Sequence, residues 1–420
     1  MFEIQGTVTT AVCYAQTVEE GAIEQIRRMC SYALTADSRV RIMPDVHAGK
    51  GCTVGTTMTV TDKVCPNIVG VDIGCGMYTV RLAERKIDLP TLDAAAHFIP
   101  SGMRVWDGRQ EHFDLTGLRC YRALRDSRWL ERSLGTLGGG NHFIEADRAS
   151  DGTLYLVIHS GSRNLGKQVA EIYQQLAVDL HMGKENYFRA RDEIIRTYKA
   201  AGRRAEIEGA LRTLKRDFVT QALLVPADLC WLYGSFMADY LHDVEICQRF
   251  ARRNREKMAE ILLAHTGTTA VEVFHTVHNY IDTGEMILRK GAVAAHAGER
   301  LLIPINMRDG SILAVGRGNP EWNFSAPHGA GRVMSRARAK EMLDMDAYRA
   351  AMAGIYTTSV TAETLDEAPM AYKSLAEIET AVRDAVEVVD ILKPVYNFKA
   401  ADDTPPWVKK TEACDPAADA

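Results

Sequence analysis

A carboxylate and a thiol stand three residues apart in the glycine-rich segment GVDIGCGM at 70–77. Asp72 and Cys75 follow a short apolar run, and the surrounding glycines let the backbone turn sharply. Side chains in this arrangement could face one cavity and bind a metal ion. A tight turn with a buried free cysteine is the ordinary alternative, so this segment by itself is weak evidence for a metal site.

Two further glycine-rich segments carry histidines. In GTLGGGNHFIE at 135–145, Asn141 and His142 follow three glycines, where a backbone can approach a ligand closely. In LVIHSGSRNLG, His159 ends a strand-like run, and the free N–H groups of the helix predicted next, with Arg163, would suit a phosphate. A flexible turn and a satisfied core histidine are the structural alternatives.

The C-terminal half contains three more histidines of interest. His275 and His278 lie three residues apart in VEVFHTVHNY, so strand alternation places them on opposite faces and argues against both binding one metal. His328 enters Gly-Ala-Gly-Arg ahead of a predicted basic helix, where a neutral imidazole beside phosphate-binding N–H groups could attack a phosphate. The alternative is a loop with an incidental histidine, but the P-loop pattern is absent.

Taken together, these residues form a mixed set of oxygen, sulfur and nitrogen donors. Such a set suits Mn²⁺, Fe²⁺, Co²⁺ or Zn²⁺, whereas Mg²⁺ and Ca²⁺ favour oxygen ligands. Residue types and spacing thus predict a metal site with phosphate-binding groups at its periphery.

The elements that must position this site follow from hydrophobic periodicity. Strand-like runs at 53–60, 68–82 and 154–162 precede a helical stretch at 165–262; strand-like runs return between 271 and 316, and helical patterns follow at about 329–345 and 374–395. No repeat or Pro/Gly/Ser linker separates these blocks. We therefore predict one large α+β domain over residues 1–399, with a helical insertion at 165–262 and a loose tail at 400–420.

Composition restricts the class of protein. With 46% hydrophobic and 25% charged residues, no apolar run long enough for a membrane span and no signal-peptide pattern, we expect a folded cytoplasmic protein without membrane contact. Nine cysteines without a CxxC pair fit reduced thiols. The net charge of −5 gives no overall attraction to nucleic acid, so any such contact needs local basic clusters. Two exist, at 203–217 and 249–257, although a solvated helix face is the slightly favoured interpretation of both.

Several unusual motifs occur in an order that resembles the RtcB family of GTP-dependent RNA-splicing ligases, from about residue 40 to 399. They are MPDVHAGKG (43–51), GVDIGCGM, GTLGGGNHFIE, HSGSR, the His-Asn pair at 278–279, RKGA (289–292), HGAGRVMSR (328–336) and APMAYK (368–373). The resemblance implies mixed and antiparallel sheets around a metal cleft. It also implies an enzyme that joins RNA with a 2′,3′-cyclic phosphate or 3′-phosphate to RNA with a 5′-hydroxyl, as in tRNA processing or RNA repair. GTP and two Mn²⁺ ions would be its cofactors, with other divalent transition metals possible.

The resemblance also assigns roles to residues. Asp72, Cys75, His142, His159 and His278 would bind metal, with the Cys75 thiolate bridging two ions. His328 would become guanylylated, Arg163 would hold an RNA phosphate, Tyr372 would stack on guanine, and Glu145 would accept its N–H donors. The implied nucleotide contacts are Asn141, His142, Phe143, Ile144, Glu145, His278, Asn279, Pro304, Asn306, Met307, Ser311, His328, Gly329, Ala330, Gly331, Tyr372 and Lys399.

The chain departs from the family pattern at two places. PINMRDG at 304–310 puts Ile305 and Asn306 where many members have Gly-Ser, although Asn306 could still donate a hydrogen bond. Lys399 matches a lysine that usually ends the chain, yet residues 400–420 follow it here. For Asp45 we favour the role of orienting a metal-bound imidazole. His47 could support the metal ligands or be structural, and His296 has no clear family counterpart.

Two other functions are compatible with parts of this pattern. A metal-dependent phosphoesterase would need the five metal ligands but no covalent guanylate on His328. A non-catalytic RNA-end-binding module would need neither the five metal ligands nor a guanylate on His328. The sequence leaves open the physiological RNA and the need for an archease-type activator.

Overall fold

The computed structural model describes residues 1–399; the predicted tail at 400–420 lies outside the described residues. No helix within 1–399 combines the length and apolar character needed to cross a bilayer. The strands are β1 (Phe2–Gln5), β2 (Thr10–Cys13), β3 (Val40–His47), β4 (Val54–Thr59), β5 (Lys63–Val64), β6 (Gly76–Leu82), β7 (Phe143–Arg148), β8 (Leu154–Ser160), β9 (Leu232–Tyr233), β10 (Ala270–Val277), β11 (Asn279–Asp282), β12 (Ile287–Lys290), β13 (Ala292–Ala294), β14 (Arg300–Asn306), β15 (Gly310–Gly316), β16 (Ser325–Pro327) and β17 (Val386–Lys399). The helices are α1 (Glu20–Met29), α2 (Pro66–Val69), α3 (Leu89–Phe98), α4 (Ser127–Arg132), α5 (Asn164–His181), α6 (Glu185–Ala200), α7 (Ile207–Asp217), α8 (Gly234–Thr266), α9 (Arg336–Met342), α10 (Met345–Ala351) and α11 (Leu375–Ala381).

Two sheets organise the molecule. A seven-stranded antiparallel sheet has the order β10-β6-β8-β7-β17-β15-β14, and a six-stranded sheet has the order β1-β2-β3-β4-β12-β11. The pair β2–β3 in the second sheet is parallel, whereas its other pairs are antiparallel. The α+β class with mixed and antiparallel sheets is therefore confirmed.

The long helix α8 packs against the seven-stranded sheet. Its buried residues recur every three or four positions, among them Tyr240, Val244, Phe250 and Met258, which gives the 33-residue helix one continuous inner face. Gly267 caps the helix, because its φ of 64° favours glycine and its N–H donates to the Leu263 carbonyl. Helices α5 to α8 occupy the stretch predicted to be helical.

The prediction of a helix at 374–395 is wrong in its second half. Helix α11 ends at Ala381, and residues from Val386 onward form the 14-residue strand β17. This strand pairs with β15 through Val386–Leu392 and with β7 through Lys393–Lys399. Hydrogen bonding inside a sheet outweighs the weak helical periodicity of a valine-rich segment.

Two other local predictions also fail. The expected strand at 68–82 begins only at Gly76, and residues Pro66–Val69 form the short helix α2. The expected helix after His328 begins only at Arg336, so His328 follows the short strand β16 and does not stand at a helix start.

Candidate metal and nucleotide site

Four adjacent strands bring the candidate metal ligands to one end of the seven-stranded sheet. His159 lies in β8 opposite Met77 of β6 and Phe143 of β7, so His142 and Cys75 precede strands on either side of it. His278 lies between β10 and β11, and its backbone N–H donates to the Cys75 carbonyl. Sequence positions more than 200 residues apart thus meet because their strands are neighbours in the sheet.

The ligand atoms form a continuous chain with Cys75 at its centre. The Cys75 Sγ lies 3.4 Å from the Nε2 atoms of both His142 and His159. His142 Nε2 is 3.1 Å from Asp72 Oδ2, and His159 Nε2 is 3.3 Å from His278 Nε2. Donor atoms bound to one tetrahedral ion at about 2.1 Å are roughly 3.4 Å apart, so these spacings fit metal coordination.

Backbone carbonyls orient two of the imidazoles. The Nδ1–H of His142 donates to the Leu137 carbonyl at 2.8 Å, and that of His159 donates to the Asn141 carbonyl at 3.1 Å. Each ring therefore directs the lone pair of Nε2 toward Cys75, which is the arrangement typical of metal-binding histidines.

Burial favours the uncharged forms of two candidate histidines and of the candidate cysteine. It holds the pKa of His159 and of His278 well below the ordinary value, so both imidazoles are neutral and able to bind a cation. Burial, with the neighbouring Asp72 carboxylate, also raises the pKa of the Cys75 thiol. A bound cation would favour the thiolate by its positive charge.

Asp72 occupies the anion position that the sequence suggested for a phosphate. The backbone N–H of Ser162, just before α5, donates to Asp72 Oδ1 at 3.2 Å. A Cβ at Gly161 would lie only 2.1 Å from that oxygen, so glycine is required for the carboxylate to fit. The start of α5 therefore holds a metal-ligand candidate of the protein itself.

His328 is held by Asp45 beside the metal-ligand cluster. Its Nδ1–H donates to Asp45 Oδ2 at 2.6 Å, and its backbone N–H donates to the same oxygen at 3.1 Å. Because Nδ1 donates to Asp45, Nε2 is the ring nitrogen left for a ligand. The His328 ring lies 4.9 Å from that of His278. The prediction that Asp45 orients a metal-bound imidazole is thus wrong: its partner is His328.

A cavity of about 180 Å³, which we call the His328 cavity, opens beside this imidazole. Most of the predicted nucleotide contacts border it. These are Asn141, Phe143, Glu145, His278, Pro304, Asn306, Met307, His328, Gly329, Ala330, Gly331, Tyr372 and Lys399.

A buried carboxyl pair lies at one side of the His328 cavity. Glu145 is 3% exposed and accepts a hydrogen bond from the Asn397 amide. Burial raises the pKa of Glu145 to about 7, and burial with the nearby Glu145 charge raises that of Asp147 well above the ordinary range. Asp147 therefore keeps its proton at neutral pH, whereas Glu145, which borders the cavity, changes its charge near pH 7.

A second buried carboxylate, Glu367, also borders the His328 cavity. Glu367 accepts a hydrogen bond from the Tyr372 hydroxyl at 2.7 Å and forms ion pairs with Lys399 and Arg336. Burial alone would raise the pKa of Glu367, but Lys399 and Arg336 outweigh it and lower that pKa to about 2. Glu367 is therefore charged at neutral pH and fixes the positions of Tyr372 and Lys399.

A neighbouring cavity of about 290 Å³, the Asp72 cavity, shares His278 and His328 with the first. It is bordered by Asp72, Cys75 and Asn279. Lys290 also borders it, and its ammonium group donates to the carbonyls of Cys52 and Asn67 at 3.1 and 3.4 Å.

Some predicted contacts do not reach these cavities with their side chains. Ile144 packs into the core between the sheet and α8, because alternate residues of β7 face opposite sides. Ser311 is fully buried in β15, opposite Pro304. Arg163 donates to Thr136 Oγ1 and the Gly102 carbonyl, and it borders neither cavity.

Asn306, in the segment that stands where many family members have Gly-Ser, forms hydrogen bonds within its own turn. Asn306 accepts hydrogen bonds from the backbone N–H groups of Arg308 and Asp309 and donates to the Asp309 carboxylate at 2.9 Å. Its side chain therefore stabilises the β14–β15 turn.

Two histidines lie apart from the cluster. His275 is 3.3 Å from Glu256 on α8. His296 is 3.3 Å from Glu285 and stacks on Phe324. The sequence predicted that His275 and His278 lie on opposite faces of a strand, and their separate contacts agree with this prediction.

Sequence reasoning missed Glu367, Asp147 and Asn397. The signal for Glu367 was its position next to the APMAYK motif, in DEAPMAYK. Asp147 also had a signal, since alternation along β7 places it on the face of Glu145. Asn397 had no signal, because it lies in β17, just beyond the segment whose pattern predicts a helix.

Comparison with known proteins supports one family. The model of the family described as "tRNA-splicing ligase RtcB" matches residues 25–116 and 122–400. The RNA-splicing ligase RtcB of Escherichia coli (strain K12) is 32% identical over 402 residues, covering 86% of this chain and 90% of the relative. The RNA-splicing ligase RtcB of Mycobacterium tuberculosis is 28% identical, covering 80% and 90%. The tRNA-splicing ligase RtcB of Aeropyrum pernix is 25% identical, covering 80% and 82%. With a match over nearly its whole length and the converged cysteine, histidine and aspartate side chains, this chain belongs to the RtcB family.

Proposed function

We propose that the protein is a GTP-dependent RNA ligase that joins a 2′,3′-cyclic phosphate or 3′-phosphate end to a 5′-hydroxyl end through a guanylylated His328. The observation that carries the proposal is the Asp45–His328 hydrogen bond beside the metal-ligand cluster. It places the proton of the neutral ring on Nδ1, so Nε2 is the nitrogen that would attack at the edge of the His328 cavity. Family membership and the names of the relatives support the ligase class.

Two overlapping ligand sets fit a pair of metal ions. Asp72, Cys75 and His142 would hold one ion, and Cys75, His159 and His278 the other, because Cys75 Sγ is equally distant from His142 and His159. The mixed donors suit Mn²⁺ among other transition metals. Bound ions would supply Lewis acidity to the phosphate oxygens.

The guanine base would lie between the two buried carboxylates of the His328 cavity. Glu145 would accept its N–H donors, while Glu367 would keep Tyr372 and Lys399 in place for stacking and hydrogen bonding. Phe143 supports the Lys399 ammonium, which lies 5.7 Å from its ring centre.

The chemistry proceeds in three displacements at phosphorus. First, His328 Nε2 attacks the α-phosphorus of GTP; an N–P bond forms, pyrophosphate leaves, and Asp45 stabilises the positive charge that develops on the ring. Next, an oxygen of the RNA 3′-phosphate attacks the guanylate phosphorus, and the N–P electrons return to Nε2. Finally, the 5′-hydroxyl oxygen attacks the activated 3′-phosphorus and gives its proton to solvent, the P–O bond to the guanylate breaks, and GMP leaves. Water must open a cyclic phosphate before the second step.

Incubation with Mn²⁺ and α-labelled GTP tests the proposal. We expect label on the wild-type protein that is acid-labile and base-stable, and none on His328→Ala. His296→Ala is the matched control, because His296 lies outside the site, and it should label normally. A phosphoesterase would hydrolyse phosphate esters without protein label, and an RNA-end-binding module would do neither. Absence of label on the wild-type protein would refute the guanylylation step.

A sealing assay on defined RNA ends then tests the substrate class. RNA with a 3′-phosphate and a second strand with a 5′-hydroxyl should be joined only when GTP is present. Assays with and without an archease-type protein, on tRNA halves and on broken transcripts, address the physiological substrate and the need for an activator.

A further inference from the structure

A third cavity, of about 550 Å³, lies outside the candidate active site. Arg249, Arg252 and Arg255 border it at three-residue spacing along α8, and Arg300 borders it from β14. We call it the arginine cavity. Three of these residues belong to the basic cluster at 249–257, for which the sequence slightly favours a solvated helix face.

Two of the four arginines have carboxylate partners. Arg252 donates to Glu256 at 2.9 Å, and Arg300 forms an ion pair with Glu272. Two acids also border the cavity, but Glu245 accepts a hydrogen bond from Thr283, and Glu299 accepts one from the His296 backbone. Four arginines and two glutamates border the cavity, and within residues 1–399 Arg249 and Arg255 are the two of these arginines without a carboxylate partner.

Arg249 and Arg255 retain unused donors. Arg249 is exposed and forms no ion pair or side-chain hydrogen bond within the described part of the chain. Arg255 is fully buried; its Nη1 donates to the carbonyls of Gly74 and Ser160 at 2.7 Å, whereas Nε and Nη2 have no partner among residues 1–399. A buried guanidinium with two unsatisfied nitrogen donors is costly unless an acceptor is supplied.

The positive charge also acts on a neighbouring histidine. His275 borders the cavity, and burial, with the charges of Arg255 and Arg252, lowers its pKa to about 3. An anion in the cavity would be attracted by the same charges.

Arg255 connects this cavity to the metal-ligand cluster. The two carbonyls that it binds belong to the residues next to Cys75 and His159. An RNA strand with its end at the cluster must run on across the protein surface. The protein has a net charge of −5 and so does not attract RNA as a whole. The phosphates of the RNA strand therefore need local arginines to bind.

We propose that the arginine cavity is a second phosphate-binding site, filled by a backbone phosphate of the RNA substrate. The assignment to RNA rests on the proposed ligase function, whereas the phosphate chemistry rests on the arginines alone. A free phosphate ion offers the same oxygens, so the experiment must separate the two sources.

The first arm measures binding of a fluorescent single-stranded RNA with a 5′-hydroxyl by anisotropy, without GTP and at several salt concentrations. Arg249→Gln and Arg300→Gln should each weaken binding by roughly threefold to tenfold at low salt. The slope of log affinity against log salt should become shallower by about 0.7 for each arginine–phosphate ion pair that a substitution removes. Arg204→Gln, which changes an exposed arginine of the other basic cluster, is the matched control and should bind like wild type.

The second arm measures inorganic phosphate binding to the same proteins by calorimetry. Weaker RNA binding by Arg249→Gln and Arg300→Gln, with the control unchanged, supports the proposal. If only inorganic phosphate binding depends on these arginines, the RNA assignment is overturned. If neither ligand depends on them, the site itself is refuted.

Guanylylation of the same variants separates this inference from the proposed function. Arg249 and Arg300 do not border the His328 cavity, so both variants should form the labelled protein as wild type does. If the wild-type protein formed no guanylate label, the ligase proposal would be refuted. The calorimetric measurement of phosphate binding would still test the arginine cavity.

Discussion

At the scale of single residues, the Asp45–His328 pair has the clearest chemical consequence. Asp45 is fully buried, and one oxygen binds both Nδ1–H and the backbone N–H of His328. Gly331 has a φ of 73°, and a Cβ there would lie 2.6 Å from the Asp45 carbonyl oxygen, so the loop after His328 is pressed against the Asp45 backbone. Both contacts fix the direction of Nε2.

Replacement of Asp45 tests this orientation. Asp45→Asn should slow guanylylation by roughly 10²- to 10⁴-fold, because an amide can donate to Nδ1 and so favour the tautomer with the proton on Nε2. Single-turnover labelling with GTP measures the rate. Thermal unfolding and metal content should stay near those of wild type; a variant that labels at the wild-type rate would contradict the role of Asp45.

The pKa of Glu145 predicts a pH dependence of nucleotide binding. Asp147, Asn397 and Lys399 face this carboxyl, and its pKa is raised to about 7, so it is protonated at lower pH and charged above. Guanine offers donors, so only the charged form accepts them fully. GTP affinity should therefore rise with pH by about tenfold per unit below 7 and level off above it.

Calorimetric titration of GTP between pH 5.5 and pH 8.5, on the order of one point per half unit, measures this profile. Glu145→Gln should bind GTP weakly, and its affinity for GTP should not rise between low and neutral pH. Glu208→Gln changes an exposed carboxylate on α7 that does not border the His328 cavity. This control variant should therefore show the same rise of GTP affinity with pH as wild type. A flat wild-type profile would show that the Glu145 charge is not needed for binding.

At the scale of elements, α8 is the support of the site. Asn254 accepts hydrogen bonds from the N–H groups of Gly135 and Thr136 and donates to Thr136, Ser160 and Gly161. The next residue, Arg255, holds the carbonyls beside Cys75 and His159. One turn of α8 thus fixes the loops that carry the histidines and the cysteine.

Removal of the Asn254 amide should disturb stability and metal binding together. Asn254→Ala leaves buried backbone groups without partners, so we expect a decrease of roughly 2–4 kcal/mol in unfolding free energy and weaker metal affinity. Urea denaturation and metal analysis measure the two effects. His242→Ala, an α8 variant away from these loops, should bind metal normally; unchanged metal affinity in Asn254→Ala would contradict the supporting role.

At the scale of the whole molecule, the proposed metal ions would join distant parts of the chain. Their candidate ligands run from Asp72 to His278; His159 belongs to β8, and the others lie in the loops before β6, before β7 and after β10. Because a metal binds the folded site and not the dispersed ligands of the unfolded chain, it should stabilise the fold.

Mn²⁺ should therefore raise the melting temperature of the wild-type protein. At a concentration of about 100 Kd the stabilisation would be about 2.7 kcal/mol, and a chelator should reverse it. Cys75→Ala removes the central ligand and should show little shift, whereas Cys120→Ala, which changes a cysteine outside the cluster, should respond like wild type. An equal shift in Cys75→Ala would argue against a shared thiolate ligand.

The sequence by itself determined the identities of the chemical groups. The mixed donors Asp72, Cys75 and His142 predict a transition-metal site from residue type alone. The strands that hold His159 and Ser311 were predicted because their apolar runs are local patterns, and the order of the motifs identified the family.

Tertiary structure decided everything that depends on contacts between distant segments. Strand β17 is a strand because β7 and β15 pair with it, and Asp45 binds His328 and not one of the candidate metal ligands. The arginine cavity is bordered by α8 together with residues of β10, β11, β13 and β14. Local periodicity reports which face of an element is apolar. It carries no information about which polar groups meet across the core, because their pairing is set by packing among elements far apart in the chain.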